Sequence, residues 1–243
     1  VRMKILLQFK LKNNKLPIDY RRVILSFFKK ALSEIADGKY YEKYYFKPER
    51  RNFSFAVNLP NPKFSKCEIT LGKNEFRITF STSDKMIGFV FMSAFIKQKG
   101  NNFSAPLGNV FTLTNISQLG DKTTNSNTAL VKMLSPLCIR EHSREENKDS
   151  YYSVASDNFE EYANKIIQEQ LINSGFDNKI VKCFSLQPIN SKKTVVFHYG
   201  NYIECSLGEF VINGDKAIIN YLLQSGIGSR KSAGFGLPIL IAE

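Results

Sequence analysis

Gly226-Ile227-Gly228-Ser229-Arg230-Lys231-Ser232-Ala233-Gly234-Phe235-Gly236 lies between an apolar helical run and the apolar segment Leu237 to Ile241, and the rest of the chain is read outward from it. Four glycines, two cations and two serines fall within these eleven residues. Glycine adopts backbone conformations that other residues resist and lets a ligand approach the main chain. Exposed amide N–H groups beside Arg230 and Lys231 would suit phosphate oxygens. Two familiar phosphate motifs do not fit. A P-loop has Gly directly before Lys-Ser and joins a strand to the helix that follows it; here Arg230 precedes Lys231 and the order is helix, loop, strand. A dinucleotide fingerprint has a third Gly three residues after the second, where this chain has Lys231. The segment therefore reads as a phosphodiester-binding bend of another kind, with a flexible surface turn of solvated charge as the alternative.

Composition favours the first reading. The chain has 243 residues, enough for one large or two small domains, and 43% hydrophobic content, as in a soluble globular protein. Against 22 Asp+Glu stand 34 Lys+Arg, a net charge of +12 that favours a polyanionic partner. No long apolar helix is evident, and the first dozen residues alternate as a strand does, so neither a membrane span nor a leader is expected. Nucleic acid is thus preferred over a membrane surface, in a cytoplasmic setting. Cys67, Cys138, Cys183 and Cys205 are dispersed without metal-ligand spacing and read as buried thiols in a reducing compartment. No metal site and no cofactor is expected.

Taken in order, Met3, Ile5, Leu7, Phe9 and Leu11 alternate with polar residues as in a half-buried strand. The period then changes: Tyr20, Ile24, Phe27, Phe28, Ala31, Leu32 and Ile35 predict a helix with Pro17 near its first turn and Gly38 past its end. A strand at 53–59 follows, and Gly72-Lys73-Asn74 between Ile69 to Leu71 and Phe76 to Phe80 predicts a hairpin. Ser81 to Ser83 would cap a helix over 84–96, and an extended segment runs through Val110, Leu113 and Ile116. After the polar run 120–128 the order recurs. A strand is predicted over 130–140 with a bend at Ser135-Pro136, then a charged loop over 141–149. A helix follows, from a capping box at Asp157 and Glu160 to about Asn173. Strands are predicted at 180–186, 194–197, 202–205 and 209–212, a helix over 215–223, and a closing strand after the bend. The chain thus reads as α+β, two tandem ferredoxin-like (RRM-like) domains with antiparallel sheets: 1–120, a linker 121–129, and 130–243 with the glycine-rich loop 226–236.

Gly-apolar-Gly, a basic middle and Gly-aromatic-Gly near the C-terminus resemble the glycine-rich signature of the CRISPR repeat-cleaving endoribonucleases, the Cas-six family of the RAMP superfamily. The order of elements extends that resemblance over nearly the whole chain. It implies binding of a precursor repeat RNA and metal-free cleavage by attack of a 2′-hydroxyl, leaving a cyclic phosphate. It also implies a backbone-binding role for Gly226, Gly228, Ser229, Arg230, Lys231, Ser232, Gly234 and Gly236. CRISPR repeat RNA, single-stranded or hairpin, is the expected partner, with a second copy of the chain and a CRISPR effector complex as further candidates. The alternative is a catalytically inactive repeat-binding subunit of the same fold.

Such cleavage needs a base for the 2′-hydroxyl proton, an acid for the departing 5′-oxygen and positive charge for the phosphorane. Family members place a histidine after the first helix, often with a tyrosine and a lysine. This chain has His142 and His198, neither near the first helix. Counting back from the Phe53-Ser54-Phe55 strand, the histidine position resembles Tyr45, the lysine position Arg51 and the helical tyrosine position Lys29. These, with Lys43, are the candidate catalytic residues. They lie in or beside a stretch of interleaved cations and rings, Lys39 to Arg51, in which Lys47 and Arg50 are candidate RNA contacts. The bland reading of that stretch is tyrosines anchoring the helix end and cations in solvent. His142, in a charged run, reads as a surface residue, and His198, between Phe197 and Tyr199, as a packed strand residue.

Overall fold

The computed structural model describes residues 3–46, 51–120, 122–143, 145 and 147–243. In chain order its elements are β1 (Met3–Leu11), β2 (Lys15–Pro17), α1 (Tyr20–Ser33), α2 (Lys39–Tyr41), β3 (Phe53–Asn58), β4 (Lys63–Phe64), β5 (Glu68–Thr70), β6 (Glu75–Thr82), α3 (Lys85–Gln98), β7 (Asn102–Ala105) and β8 (Asn109–Leu119). There follow β9 (Thr128–Met133), β10 (Ile139–Ser143), β11 (Lys148–Tyr152), α4 (Phe159–Ile172), α5 (Asn178–Val181), β12 (Ser185–His198), β13 (Asn201–Asn213), α6 (Lys216–Ser225) and β14 (Pro238–Ala242). The main sheets have the orders β3-β6-β1-β8-β7 and β12-β13-β9-β14, antiparallel throughout. Numbering the four crossover strands of each half by sequence gives the same order, 2-3-1-4, in both, so the chain is a tandem of two ferredoxin-like folds.

Each half is held by the periodicity that predicts it. Along β1, Ile5, Leu7, Phe9 and Leu11 are buried, and α1 buries Ile24, Phe27, Phe28, Ala31 and Leu32 over them. The first core is packed with phenylalanine: Phe28 meets Phe55, Phe80, Phe91 and Phe95 with ring centroids 5.0–6.2 Å apart, mostly edge-on or tilted, as ring quadrupoles favour. The second core sets Phe159, Ile167 and Leu171 of α4 and Ile218, Ile219 and Leu222 of α6 against Val131, Phe210 and Ile212. A third cluster, Cys138, Val196, Ile203, Cys205 and Phe235, packs beneath the glycine bend.

Several local expectations are corrected. Gly72-Lys73-Asn74 does not turn a hairpin: β5 pairs with β2 and β4 in a small separate sheet, and β6 pairs with β1 and β3. Pro17 ends β2, and α1 begins only at Tyr20. Asp84, not a serine, caps α3, its carboxylate accepting from the amides of Met86 at 2.8 Å and Ile87 at 3.1 Å, while Ser81 and Thr82 belong to β6. The segment 130–140 is two strands, because the Ser135 hydroxyl and the Pro136 carbonyl are engaged by the amides of Leu237 and Gly236 across the bend. The charged run 141–149 is mostly a hairpin, with His142 opposite Asp149. Asn158 occupies the N-cap of α4 without a side-chain bond, so the predicted capping box is not made. Asn178–Val181 is helical with Asp177 as its cap, and the remaining strand candidates merge into one long hairpin, β12 and β13, turning at Tyr199 and Gly200. Cys138 and Cys205 are buried as expected; Cys67 and Cys183 are exposed. Among the described residues no helix is long and apolar enough to cross a membrane.

Candidate functional site

The glycine bend is a seam between the halves. Against Gly234, a Cβ would stand 2.7 Å from the Phe55 ring of β3, and the Gly234 carbonyl accepts from Arg21 Nε at 3.3 Å. Ser83 and Ser225 share a hydrogen bond of 2.5 Å across the same seam. The amides of Gly226, Ile227, Gly228, Ser229, Ala233, Gly234 and Gly236 all donate within the protein. The expectation of exposed glycine amides is thereby corrected: the glycines permit close backbone packing, and it is Ser229 to Ala233 that reach the surface. Arg230 itself holds a left-handed conformation (φ +53°) at the crest.

Beside that crest lies a cavity of about 350 Å³ lined by Leu25, Lys29, Tyr45, Arg51, Arg140, His198, Tyr199, Arg230, Ser232 and Ala233. Residues scattered over some 200 positions are gathered here from six places: α1, the helical turn Glu42–Phe46, the segment leading into β3, β10, the tip of the β12–β13 hairpin, and the bend. Of the residues singled out in the sequence, Lys29, Tyr45, Arg51, Arg230 and Ser232 converge on it. Lys43 is not among its lining residues and holds its ammonium 5.7 Å from the Tyr44 ring. Tyr44 is buried in the first core, as the anchoring reading of the tyrosine stretch supposed. Ser229 accepts from the Arg140 amide at 3.2 Å, and the Lys231 ammonium lies 5.9 Å from the Tyr221 ring, where burial pushes its pKa down to about 8. Lys47 and Arg50 lie outside the described residues.

Tyr45 is clamped between cations, with Lys29 Nζ 5.2 Å and Arg51 Cζ 5.0 Å from its ring centroid. Its hydroxyl is buried without a partner among the described residues, and so is Arg230 Nε. Native proteins rarely leave such donors unpaired, so two donors at a cavity wall mark where an acceptor oxygen belongs. Burial pushes the Tyr45 phenol well up, with Arg51 opposing, so it remains a donor at neutral pH.

Asp149, from the hairpin the sequence hid, orders the far wall. It accepts from Arg140 Nη1 at 3.1 Å, Arg230 Nη2 at 3.1 Å and the Tyr151 hydroxyl at 3.1 Å, and pairs with His142 Nδ1 at 2.8 Å. Arg230 Nη2 also meets the Tyr151 hydroxyl at 2.6 Å. Burial alone would raise the carboxyl, but the bonds from His142 and Arg140 outweigh it and bring its pKa to about 2. A depressed carboxylate stabilises the fold above its unfolded pKa and loses that contribution as pH falls through the folded value. Asp149→Asn is therefore expected to cost about 2 kcal/mol at pH 7, a deficit that shrinks between about pH 4 and pH 2. Urea melts across that range check it, and equal midpoints at pH 7 would overturn it.

Arg140, His198, Tyr199 and Asp149 were missed in the sequence. Neither Ile139-Arg140-Glu141-His142 nor Asp149-Ser150-Tyr151-Tyr152 alternates apolar with polar residues, so the hairpin carries no period-two signal; nothing local signals that His198 reaches α1. There, His198 Nδ1 lies 3.4 Å from Asp19 Oδ1, and Asp19 Oδ2 accepts from the Tyr199 amide at 3.0 Å. Among the described residues no group of three or more His, Cys, Asp or Glu side chains is placed to hold a metal ion.

Residues 119–238, just under half of the chain, match the family model described as CRISPR associated protein Cas6, C-terminal. Similar solved structures span the whole chain. One described as a Cas6-related gene from Pyrococcus furiosus has a TM-score of 0.83 at 19% identity, covering 100% of both chains. An RAMP protein binding different RNA substrates gives 0.81 at 21%, covering 98% of this chain and 99% of that one. A Cas6 product complex gives 0.73 at 15%, covering 99% and 100%. No curated protein sequence matches.

Proposed function

We propose that this chain, whose residues 119–238 match the family model for the C-terminal part of CRISPR associated protein Cas6, is a protein of that family, and that it binds CRISPR repeat RNA across the seam of its two halves and cleaves it there without a metal, by attack of a 2′-hydroxyl that leaves a cyclic phosphate. The observation that carries this reading is the cavity between α1 and the glycine bend, where Lys29, Arg51, Arg140 and Arg230 meet two unpaired buried donors. A phosphodiester supplies what those groups lack: oxygens that accept from Tyr45 and Arg230 Nε, and charge that the guanidinium groups neutralise. Preorganised donors of this kind stabilise a pentacovalent phosphorane more than the ground-state diester. Glycines 226, 228, 234 and 236 serve the site by setting the height of the Arg230 crest, and Ser229 by fixing Arg140.

The second reading, a subunit that binds repeat RNA and does not cut it, is favoured by one observation. Tyr45 stands where the resemblance places a histidine, and its phenol is held protonated, which suits a donor and not a base. End-labelled repeat RNA separates the two. Cleavage in EDTA, with a cyclic phosphate on the 5′ product and no cut in RNA carrying a 2′-deoxy scissile nucleotide, is the expected result. Tight binding without any cut of the native repeat establishes the second reading, and EDTA-sensitive cutting overturns the metal-free step.

A further inference from the structure

We propose that His198, a residue of the second half, is the group that takes the 2′-hydroxyl proton, with Asp19 as its positioning residue; this rests on the cleavage reading above. Elimination within the cavity leads to it. Lys29, Arg51, Arg140 and Arg230 are cations that donate, Tyr45 is a protonated phenol, and Leu25 and Ala233 are apolar. Tyr199 and Ser232 carry hydroxyls that need a base themselves. His198 alone among the lining residues offers an uncharged nitrogen lone pair near neutral pH.

Its setting is that of an aimed imidazole. The negative charge of Asp19 facing Nδ1 selects the tautomer protonated there, which leaves Nε2 as the acceptor; Nε2 has no hydrogen-bond partner among the described residues. Asp19 is itself fixed by the Tyr199 amide. That amide belongs to a tight turn in which Tyr199 and Gly200 both have positive φ, +50° and +79°, a conformation that a tyrosine adopts at a cost. Tyr199 and Phe235 wall the ring, at centroid distances of 4.6 and 5.6 Å. The charged groups that act on it are Asp19, Arg21 and Arg230. Burial, the largest influence, lowers its pKa, the two arginines add to that, and Asp19 opposes it. The imidazole is therefore neutral at physiological pH and free to accept a proton.

In the step, the 2′-O–H proton passes to Nε2 as the 2′-oxygen bonds to phosphorus. The P–O5′ bond then breaks, and the departing oxygen takes the proton of the Tyr45 hydroxyl. Solvent afterwards returns a proton to Tyr45 and removes one from His198, so the cycle closes without another reactant.

Single-turnover cleavage of labelled repeat RNA by the full chain tests this, with RNA affinity measured in parallel. His198→Ala and His198→Gln are expected to slow cleavage by about 100-fold or more while affinity changes less than about threefold. Asp19→Asn is expected to slow it about tenfold. In the parent, the rate rises tenfold per pH unit and bends to a plateau with its midpoint below the ordinary histidine value of about 6.5, a limb absent from both His198 variants. Added imidazole is expected to restore part of the His198→Ala rate, which a merely structural histidine would not allow. Parent cleavage with both variants equally fast and equally tight overturns His198 alone. A parent that binds and never cuts overturns the cleavage reading and this inference together.

Discussion

Gly236→Ala is expected to destabilise the protein by about 4 kcal/mol and, with that, to lower its thermal midpoint by roughly 8–16 °C. Gly236 has φ +69°, and a Cβ built there stands 2.0 Å from the Ile227 carbonyl oxygen. That oxygen belongs to backbone, so no rotamer change relieves the overlap. The same two residues are tied by a hydrogen bond from the Ile227 amide to the Gly236 carbonyl at 2.7 Å, and the Gly236 amide donates to Pro136 at 2.8 Å. Opening the bend to admit a methyl group would break one or both. The left-handed conformation itself costs a non-glycine residue about 1–2 kcal/mol, and the reduced freedom of the unfolded chain recovers less than about 1 kcal/mol. Gly120→Ala serves as the control, because a Cβ there meets nothing within 4 Å; its midpoint is expected to stay within about 2 °C of the parent. A Gly236→Ala midpoint equally close to the parent would show that the bend is not the rigid seam described above.

That seam is where reading the sequence and reading the structure part company. The glycine pattern is visible in the sequence because each glycine marks a backbone constraint. What the constraint serves is not visible, since Phe55 and Cys138, the groups the glycines press against, lie far away in the chain. The same limit governs the fold. β1 and α1 are legible because burial on one face imposes periods of two and of three to four on a single segment. Which strands β5 and β6 pair with is not, because pairing is decided by tertiary neighbours and a Gly-Lys-Asn turn permits either outcome. For the site, the cations and rings of 39–51 were legible as a class. Counting without gaps from the Phe53 strand placed Tyr45 and Arg51 on the cavity because the intervening segment is short, whereas Lys43 misses it. In the sequence His198 reads as a packed strand residue, and in the fold its side chain is 1% exposed. Its pairing with Asp19, 179 positions away, is a product of how the two halves dock.

Combining Lys29→Ala, Arg51→Ala and Arg230→Ala is expected to weaken repeat-RNA binding by between about 150- and 2,000-fold, taking about 1–1.5 kcal/mol for each lost charged contact. The three residues come from α1, from the start of the segment leading into β3, and from the crest of the bend, yet they line one cavity. A diffuse basic surface and a built phosphate site predict different outcomes here. Each neutralised phosphate contributes about 0.7 to the slope of log affinity against log salt for a single strand. The triple variant should therefore lose roughly 2 from that slope if all three touch phosphates. A comparison variant with Lys63, Lys73 and Lys179 replaced by alanine removes the same net charge from exposed positions that do not line the cavity. If binding follows net charge alone, the two triples weaken it equally and with equal slopes. The cavity variant also loses the cation contacts on the Tyr45 ring and the Arg230 bond to Asp149, so its thermal midpoint must be measured beside its affinity. Arg51→Lys keeps the charge but not the planar fork that grips two phosphate oxygens, and is expected to retain most of the salt slope while losing affinity. Equal salt slopes for the cavity and comparison triples would remove the phosphate from this site, and with it the reason for placing the scissile bond beside Tyr45.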